Sequence, residues 1–255
     1  MTTPTRLSPT ATMTFKHCGL AYKYRYIDRL PQPQTIHTFQ GNLVHNVLET
    51  LFRLPKKERT YEHAVEFLNN LWTKLQKEEE FNIIVPEKEH DFFFNNCSTY
   101  IDNYFKLEDP TKINAIGIEL TVSGNIKGAD IYGIIDRVEA DENGKIAITD
   151  YKTGMSPMER QEKERFIPLQ QYAILCEQSY GFVPDYLQLF FLKNGQALKI
   201  PYTKQLGRST NAITGAIWSA IGTASQNDNF KPHVSGLCNW CSFQDICPSW
   251  VDKKK

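Results

Sequence analysis

The stretch KGADIYGIIDRVEADENGKIAITDYKTG, residues 127–154, contains two runs of alternating apolar and polar side chains separated by Asp-Glu-Asn-Gly. Alternation with a period of two is typical of β-strands, and Asn-Gly tolerates the positive φ that tight hairpin turns require. The stretch therefore predicts an antiparallel hairpin that turns at Asn143-Gly144. A third alternating run, AIGIELTVSG at residues 115–124, extends this prediction to a meander of three strands.

The sequence on either side of the meander has helical periodicity. Before it, QGNLVHNVLETLF and TYEHAVEFLNNLWTKLQKEEEF carry apolar side chains at helical spacing. After it, we expect a helix in PLQQYAILCEQSY, a hairpin in DYLQLFFLKNGQALKIPY and a long helix from Lys204 to Ser225. Helices before and after a central sheet predict an α/β layer fold.

A chain of 255 residues is within reach of one domain, and we expect a single one over residues 1–255. Its predicted parts are a helical N-terminal part at about 1–110, a sheet-containing core at about 111–230 and a cysteine-rich tail at 231–255, whose last residues, DKKK, we expect to be frayed.

Composition narrows the function classes. The longest apolar stretch, YLQLFFL at 186–192, is far shorter than a membrane span, so we expect no membrane association. The N-terminal MTTPTRLSPTATMTF lacks the apolar segment of a secretory signal, which predicts a cytoplasmic protein with reduced or ligand-bound thiols. The 29 basic and 29 acidic residues balance, so net charge does not indicate nucleic-acid binding.

One local segment is basic. Lys23, Arg25 and Arg29 lie in a tyrosine-rich stretch that contains a single acidic residue, Asp28. This pattern fits either the solvated face of an amphipathic helix or a surface that contacts DNA phosphates.

Two carboxylates and a lysine occupy matching positions in the predicted hairpin. Alternation places Asp136 on an inward face with Ile134 and Val138, and it places Asp150 with Lys152 on one face of the following strand. Folding at the predicted turn brings the two aspartates to within about one residue of each other. The pattern therefore gathers two acids and an amine in one small area.

Two anions this close repel unless a cation lies between them, and carboxylate oxygens suit Mg²⁺ or Mn²⁺. Lys152 offsets one of the two charges, which leaves room for a metal. The alternative is an exposed hairpin whose charges pair across the strands and contribute little. His45 lies at the border of an apolar helical stripe, where an imidazole is either a boundary residue or a further ligand.

Four stretches follow one another in the chain: GNLVHNVLE (41–49), GIEL (117–120), GIIDRVE (133–139) and TDYKTG (149–154). Their order resembles the RecB-like exonuclease branch of the PD-(D/E)xK nuclease superfamily. The resemblance implies a restriction-endonuclease-like core, in which helices flank a central mixed β-sheet, with a helical N-terminal part and a C-terminal cysteine tail. It also implies an active site composed of His45, Asp136, Asp150, Lys152 and Tyr172, with Glu119 as a further acid.

The sequence departs from this family at one position. The family usually has a glutamine four residues before the tyrosine, whereas RFIPLQQYAIL has Pro168 there. Gln170 and Gln171 lie closer to Tyr172 and are the remaining candidates for the glutamine's role.

Cysteines gather near the C-terminus, where CNWCSFQDIC contains Cys238, Cys241 and Cys247. Taken with Cys18, they suit tetrahedral zinc, and a lone Cys-x-x-Cys also suits redox chemistry. A subgroup of the resembled family, including AddB-type and CRISPR-associated RecB-like exonucleases, holds a 4Fe-4S cluster with one cysteine before the core and three after it. The resemblance implies the same cluster here, fastening the two ends of a loop of over two hundred residues. The two other cysteines, which we expect to be core residues, are Cys97 and Cys176.

The resemblance implies a metal-dependent DNA exonuclease that acts on single-stranded DNA ends in repair or recombination. We expect any helicase partner to act in trans. The alternative is a non-catalytic DNA-end binding subunit of a helicase-nuclease complex, in which the carboxylates are inert.

Overall fold

The computed structural model describes residues 5–251, apart from the side chain of Val251. The DKKK tail that was predicted to fray lies outside these residues. None of the helices within residues 5–251 is long and apolar enough to cross a membrane.

The described residues form a five-stranded sheet in the order β1-β2-β3-β4-β5. The strands are β1 (Ala115–Ile126), β2 (Ala129–Ala140), β3 (Ile146–Lys152), β4 (Tyr186–Phe191) and β5 (Gln196–Pro201). β3 and β4 are parallel and the other neighbours are antiparallel, so the sheet is mixed. The predicted α/β class with a central mixed sheet flanked by helices is confirmed.

The hairpin predicted from residues 127–154 is confirmed in its register. Arg137 of β2 pairs with Thr149 of β3, and Gly144 in the connecting turn has a φ of 76°. A glycine adopts this left-handed conformation at little cost. Continuing the register by one step places Asp136 opposite Asp150.

The helices lie on both sides of the sheet. They are α1 (Pro9–His17), α2 (Gly19–Tyr22), α3 (Ile36–Arg53), α4 (Tyr61–Leu75), α5 (Glu79–Ile84), α6 (His90–Leu107), α7 (Glu159–Arg165), α8 (Ile167–Tyr180), α9 (Lys204–Gln226) and α10 (Pro248–Val251). Three of the long helices, α3, α4 and α9, begin at threonine caps whose hydroxyls accept backbone N–H groups, at Thr35, Thr60 and Thr203.

Buried apolar side chains of the described residues form one core on each side of the sheet. α8 and α9 pack on one face through residues such as Leu175 and Ile221, and α3, α4 and α6 pack on the other through residues such as Leu48 and Phe93. Each core contains one of the cysteines predicted to be structural, Cys176 in the first and Cys97 in the second. Burial raises the pKa of both thiols to about 12, so they stay protonated and apolar.

The predicted N-terminal amphipathic helix is interrupted. Cys18 has an extended backbone, with a φ of −162°, and separates α1 from α2, after which Lys23–Ile27 form a π-helical turn. The interruption turns the Cys18 side chain toward the C-terminal tail, where its sulfur accepts a hydrogen bond from the backbone N–H of His233 at 3.4 Å.

Candidate active site

The two aspartates meet at the edge where β2 and β3 stop pairing. Asp136 Oδ2 accepts a 2.7 Å hydrogen bond from the backbone N–H of Tyr151. The carboxylate thus takes the place of a backbone carbonyl of β2 as the acceptor for β3. Asp150 Oδ2 lies 2.6 Å from Lys152 Nζ but accepts no hydrogen bond of good geometry. The side chains of Asp136 and Asp150 are only 14% and 12% exposed, which makes unpaired negative charge costly there.

His45 approaches the same place from α3. Its Nδ1 lies 3.6 Å from Asp136 Oδ2, and its Nε2 donates to the carbonyl oxygen of Tyr151 at 3.1 Å. Burial lowers the pKa of His45, but the hydrogen bond and charge of Asp136 outweigh it and raise the pKa above its usual value. The backbone of Tyr151 thus fixes both the carboxylate and the imidazole.

The second half of the site is the pair of Asp150 and Lys152. Burial raises the pKa of Asp150, and the charge of Asp136 adds to this rise. Burial lowers the pKa of Lys152, but the charges of Asp150 and Asp136 outweigh it and raise the pKa. Lys152 is therefore protonated, and a protonated lysine can only donate hydrogen bonds.

Glu119 belongs to the same cluster and has a strained backbone. It lies in β1 between the residues that pair with Arg137 and Ile135, opposite Asp136, and has a φ of 48°. A non-glycine residue in this conformation costs about 1–3 kcal/mol and is often found at functional sites. Burial raises the pKa of Glu119, and the charges of Asp136 and Glu49 add to the rise.

Glu49 is a site residue that the sequence analysis missed. With His45, Glu119 and Asp136 it lines a small pocket, and its carboxylate also pairs with Arg53. The sequence could have indicated Glu49, because it lies four residues after His45 in a predicted helix and both side chains therefore share one face.

Tyr172 reaches the site from α8 on the other side of the sheet. Its ring packs directly over Gly133, where a Cβ atom would collide with it. Burial raises the pKa of Tyr172, and the charges of Asp150, Asp136 and Glu119 raise it further.

The two glutamines predicted beside Tyr172 lie elsewhere. Gln170 Oε1 accepts from Thr210 Oγ1 at 2.7 Å, and Gln171 Nε2 donates to Thr214 Oγ1 at 2.9 Å. Both partners belong to α9, so the structure does not bring the side chains of Gln170 and Gln171 together with the carboxylates. Successive helical residues point in different directions, and Tyr172 instead packs against Gly133 of β2.

Comparison with known proteins decides the family. A family model described as the PD-(D/E)XK nuclease superfamily matches residues 6–248. The chain belongs to this superfamily. The match covers every residue of the carboxylate cluster and all six cysteines.

Two solved structures superpose on this chain, and the first of them has the same fold. A presumed exonuclease from Eubacterium rectale superposes with a TM-score of 0.60 at 11% identity, over 97% of this chain and 88% of that one. The protein SSO0001 superposes with a TM-score of 0.44 at 13% identity, over 98% and 88% of the two chains. No curated protein sequence matches the chain significantly.

The cysteines at the two ends of this superfamily member lie around one cavity of about 270 Å³. Its lining includes Cys18, Cys238, Cys241 and Cys247. The Cys238 sulfur accepts a 3.4 Å hydrogen bond from the backbone N–H of Ser235, much as Cys18 does from His233. Within residues 5–251, no three His, Cys, Asp or Glu side chains are grouped so that they could hold a metal ion.

The basic residues predicted to contact DNA have different surroundings. Lys23 Nζ contacts both oxygens of Asp28 at 2.9 and 2.8 Å, so its charge is offset. Arg25 donates to Gln32 and lines the cysteine cavity. Arg29 is exposed, with a φ of 52°.

Proposed function

We propose that the chain is a divalent-metal-dependent DNA exonuclease of RecB type that acts on single-stranded ends in repair or recombination. The observation that carries this proposal is that His45 and Asp136 are both bonded to the backbone of Tyr151, next to the ion pair of Asp150 and Lys152. Superfamily membership and the fold shared with a presumed exonuclease support it.

The donor types suit a hard divalent cation, although in the part of the chain that the structure describes no three His, Cys, Asp or Glu side chains are placed to bind one ion together. Asp136, Asp150 and Glu119 offer carboxylate oxygens, His45 offers an imidazole nitrogen, and the buried Asp150 Oδ2 lies against Lys152 Nζ. These are the residues that would hold Mg²⁺ or Mn²⁺. Such a cation would lower the pKa of a water molecule and stabilise negative charge on the phosphate.

The chain's own residues position and stabilise the substrate. The ammonium of Lys152 can donate to a phosphate oxygen, where its charge would stabilise the negative charge that develops in the transition state. His45 and Asp136 are held by opposite groups of the same residue, the Tyr151 carbonyl and N–H. This shared anchor would keep the two groups in fixed geometry during the reaction.

Two labelled single-stranded DNA substrates, one blocked at each end, test the function directly. We expect Mg²⁺-dependent release of nucleotides from one substrate and protection of the other. Binding of both substrates without any release would instead identify a non-catalytic DNA-end binding subunit.

Removing the Lys152 amine is expected to slow chemistry and leave binding intact. Lys152→Ala should lower kcat by about 10²–10³ with little change in KM, because its charge acts mainly in the transition state. Steady-state kinetics on single-stranded DNA measure both constants. Lys112→Ala, whose side chain is 81% exposed and paired with Asp109, is the matched control and should leave both unchanged. A raised KM at constant kcat would make Lys152 a phosphate-binding residue.

For the cysteine cavity we propose a 4Fe-4S cluster bound by Cys18, Cys238, Cys241 and Cys247. Support comes from their placement around one cavity and from the backbone N–H groups directed at two of the sulfurs. Hydrogen bonds to the sulfurs are a usual feature of such clusters.

Iron content tests this cluster. Protein purified without oxygen should contain about four irons and four sulfides per chain. Cys18→Ser should lose iron and loosen both chain ends, because the long loop regains its closure entropy. Cys97→Ser and Cys176→Ser, which alter buried core thiols, are the controls and should keep their iron. Stoichiometric zinc without sulfide would rule the cluster out.

A further inference from the structure

Trp240 is the most exposed large apolar side chain in the described part of the chain, at 78%. Its backbone ends a 3-10 helix, Gly236–Trp240, that Ser235 caps. The next residue, Cys241, closes the turn with a 3.1 Å hydrogen bond to the carbonyl of Cys238. The indole is therefore a large exposed apolar surface at the end of a capped 3-10 helix.

The contact that Trp240 makes places it at the start of α3. Its ring lies edge-on to the imidazole of His37, with the centroids 6.3 Å apart at an angle of 63°. An edge contact with an exposed histidine leaves most of the indole face free.

Helix α3 contacts Trp240 near its first residue and the carboxylate cluster further along. His37, Gly41 and His45 follow at intervals of four residues and so lie along one side of the helix. Gly41 packs near the hydroxyl of Thr153, the residue after Lys152, and His45 contacts Asp136. From His37 to His45 the helix rises about 12 Å.

We propose that Trp240 is a stacking platform for a nucleobase of the single-stranded DNA whose backbone is cleaved at Asp136 and Asp150. A stacked strand advances about 3.4 Å per nucleotide, so 12 Å corresponds to about three or four nucleotides from the cleaved phosphate. The inference rests on the proposed nuclease function and adds a residue that positions the substrate.

The chemistry of an indole fits this role. Every base has a π-face, so stacking on an aromatic ring tolerates any sequence and contributes about 1–3 kcal/mol per base. Arg25 lines the same cavity as Trp240 and would supply a cation for the adjoining phosphate. A base needs to be unpaired to stack in this way, which would select single strands over duplex.

Affinity measurements with Ca²⁺ in place of Mg²⁺ test the proposal without turnover. The probes are a fluorescein-labelled 12-nucleotide deoxythymidine oligomer and the same oligomer with a single abasic residue at each position in turn. Trp240→Ala should raise the Kd of the intact oligomer by about 5- to 150-fold, the equivalent of one stacked base. Trp240→Phe, which keeps a ring, should stay within about 5-fold of wild type. Phe92→Ala removes another exposed ring, 65% exposed on α6, and should leave Kd unchanged.

The abasic series separates stacking from a structural role. Wild-type protein should lose affinity sharply at one abasic position, and Trp240→Ala should show no additional loss there. An even profile in the wild type overturns the platform whatever the variants do, including the case where Trp240→Ala fails to fold. Wild-type protein that neither binds nor cleaves single strands defeats the proposed function itself, whereas cleavage with an even profile defeats only the role of Trp240.

Discussion

Asp150→Asn is expected to lower the rate of DNA hydrolysis by at least about 10³-fold while DNA binding persists or tightens. The carboxylate is buried, and a divalent cation held by Asp136 and Asp150 would contribute several kcal/mol of transition-state stabilisation. The amide keeps the shape but loses the charge that would bind the cation. Removing a negative charge from a phosphate site also removes repulsion, which explains why affinity should not fall.

Cleavage and binding assays on single-stranded DNA measure the two effects separately. Activity should appear with Mg²⁺ or Mn²⁺, vanish with a chelator, and be absent with Ca²⁺ although DNA still binds. Asp136→Asn should behave like Asp150→Asn. Asp91→Asn, on the exposed first turn of α6, is the matched control and should retain full activity. Undiminished activity in Asp150→Asn would remove this site from the mechanism.

The sequence predicted the β2–β3 hairpin and its register because two local signals agree there. Asn143-Gly144 specifies the turn, and a period of two specifies which side chains share a face. Together they brought Asp136 opposite Asp150 without knowledge of the rest of the fold.

Other features of the site and its surroundings depend on long-range contacts, which a local sequence pattern does not predict. Ile134 was expected on an inward face with Asp136, but it is 48% exposed. The left-handed backbone of Glu119 breaks the rule that non-glycine residues avoid positive φ. The direction of Gln170 and Gln171 was set by the hydroxyls of α9, a helix about forty residues further along the chain. Tertiary packing determines these exposures, backbone conformations and side-chain directions.

A buried ion network stabilises the sheet behind the active site. The side chain of Arg137 is fully buried, donates to Glu108 Oε2 at 2.9 Å and contacts Glu139. It also donates to the hydroxyl of Tyr151 at 2.7 Å and lies 4.5 Å from the ring centre of Phe52. Burial raises the pKa of Glu139, and the charge of Arg137 opposes this rise.

Arg137→Met is expected to destabilise the protein by about 3–5 kcal/mol, because it leaves the carboxylates of Glu108 and Glu139 buried without a cation. For a chain of this size the midpoint of thermal unfolding should fall by about 6–20 °C. Calorimetry or circular dichroism measures the shift. Lys112→Met, which removes an exposed ion pair, is the control and should leave the midpoint unchanged.

A second set of variants separates the two possible causes of the lost stability, which are uncompensated buried charge and lost packing. Replacing the acids as well, with Glu108→Gln and Glu139→Gln in the Arg137→Met background, removes the uncompensated charge and should recover much of the stability. Because Arg137 holds the Tyr151 hydroxyl and the Tyr151 backbone holds His45 and Asp136, the recovered protein should still have reduced kcat. A triple variant no more stable than Arg137→Met would show that packing on Phe52, and not buried charge, accounts for the contribution of Arg137.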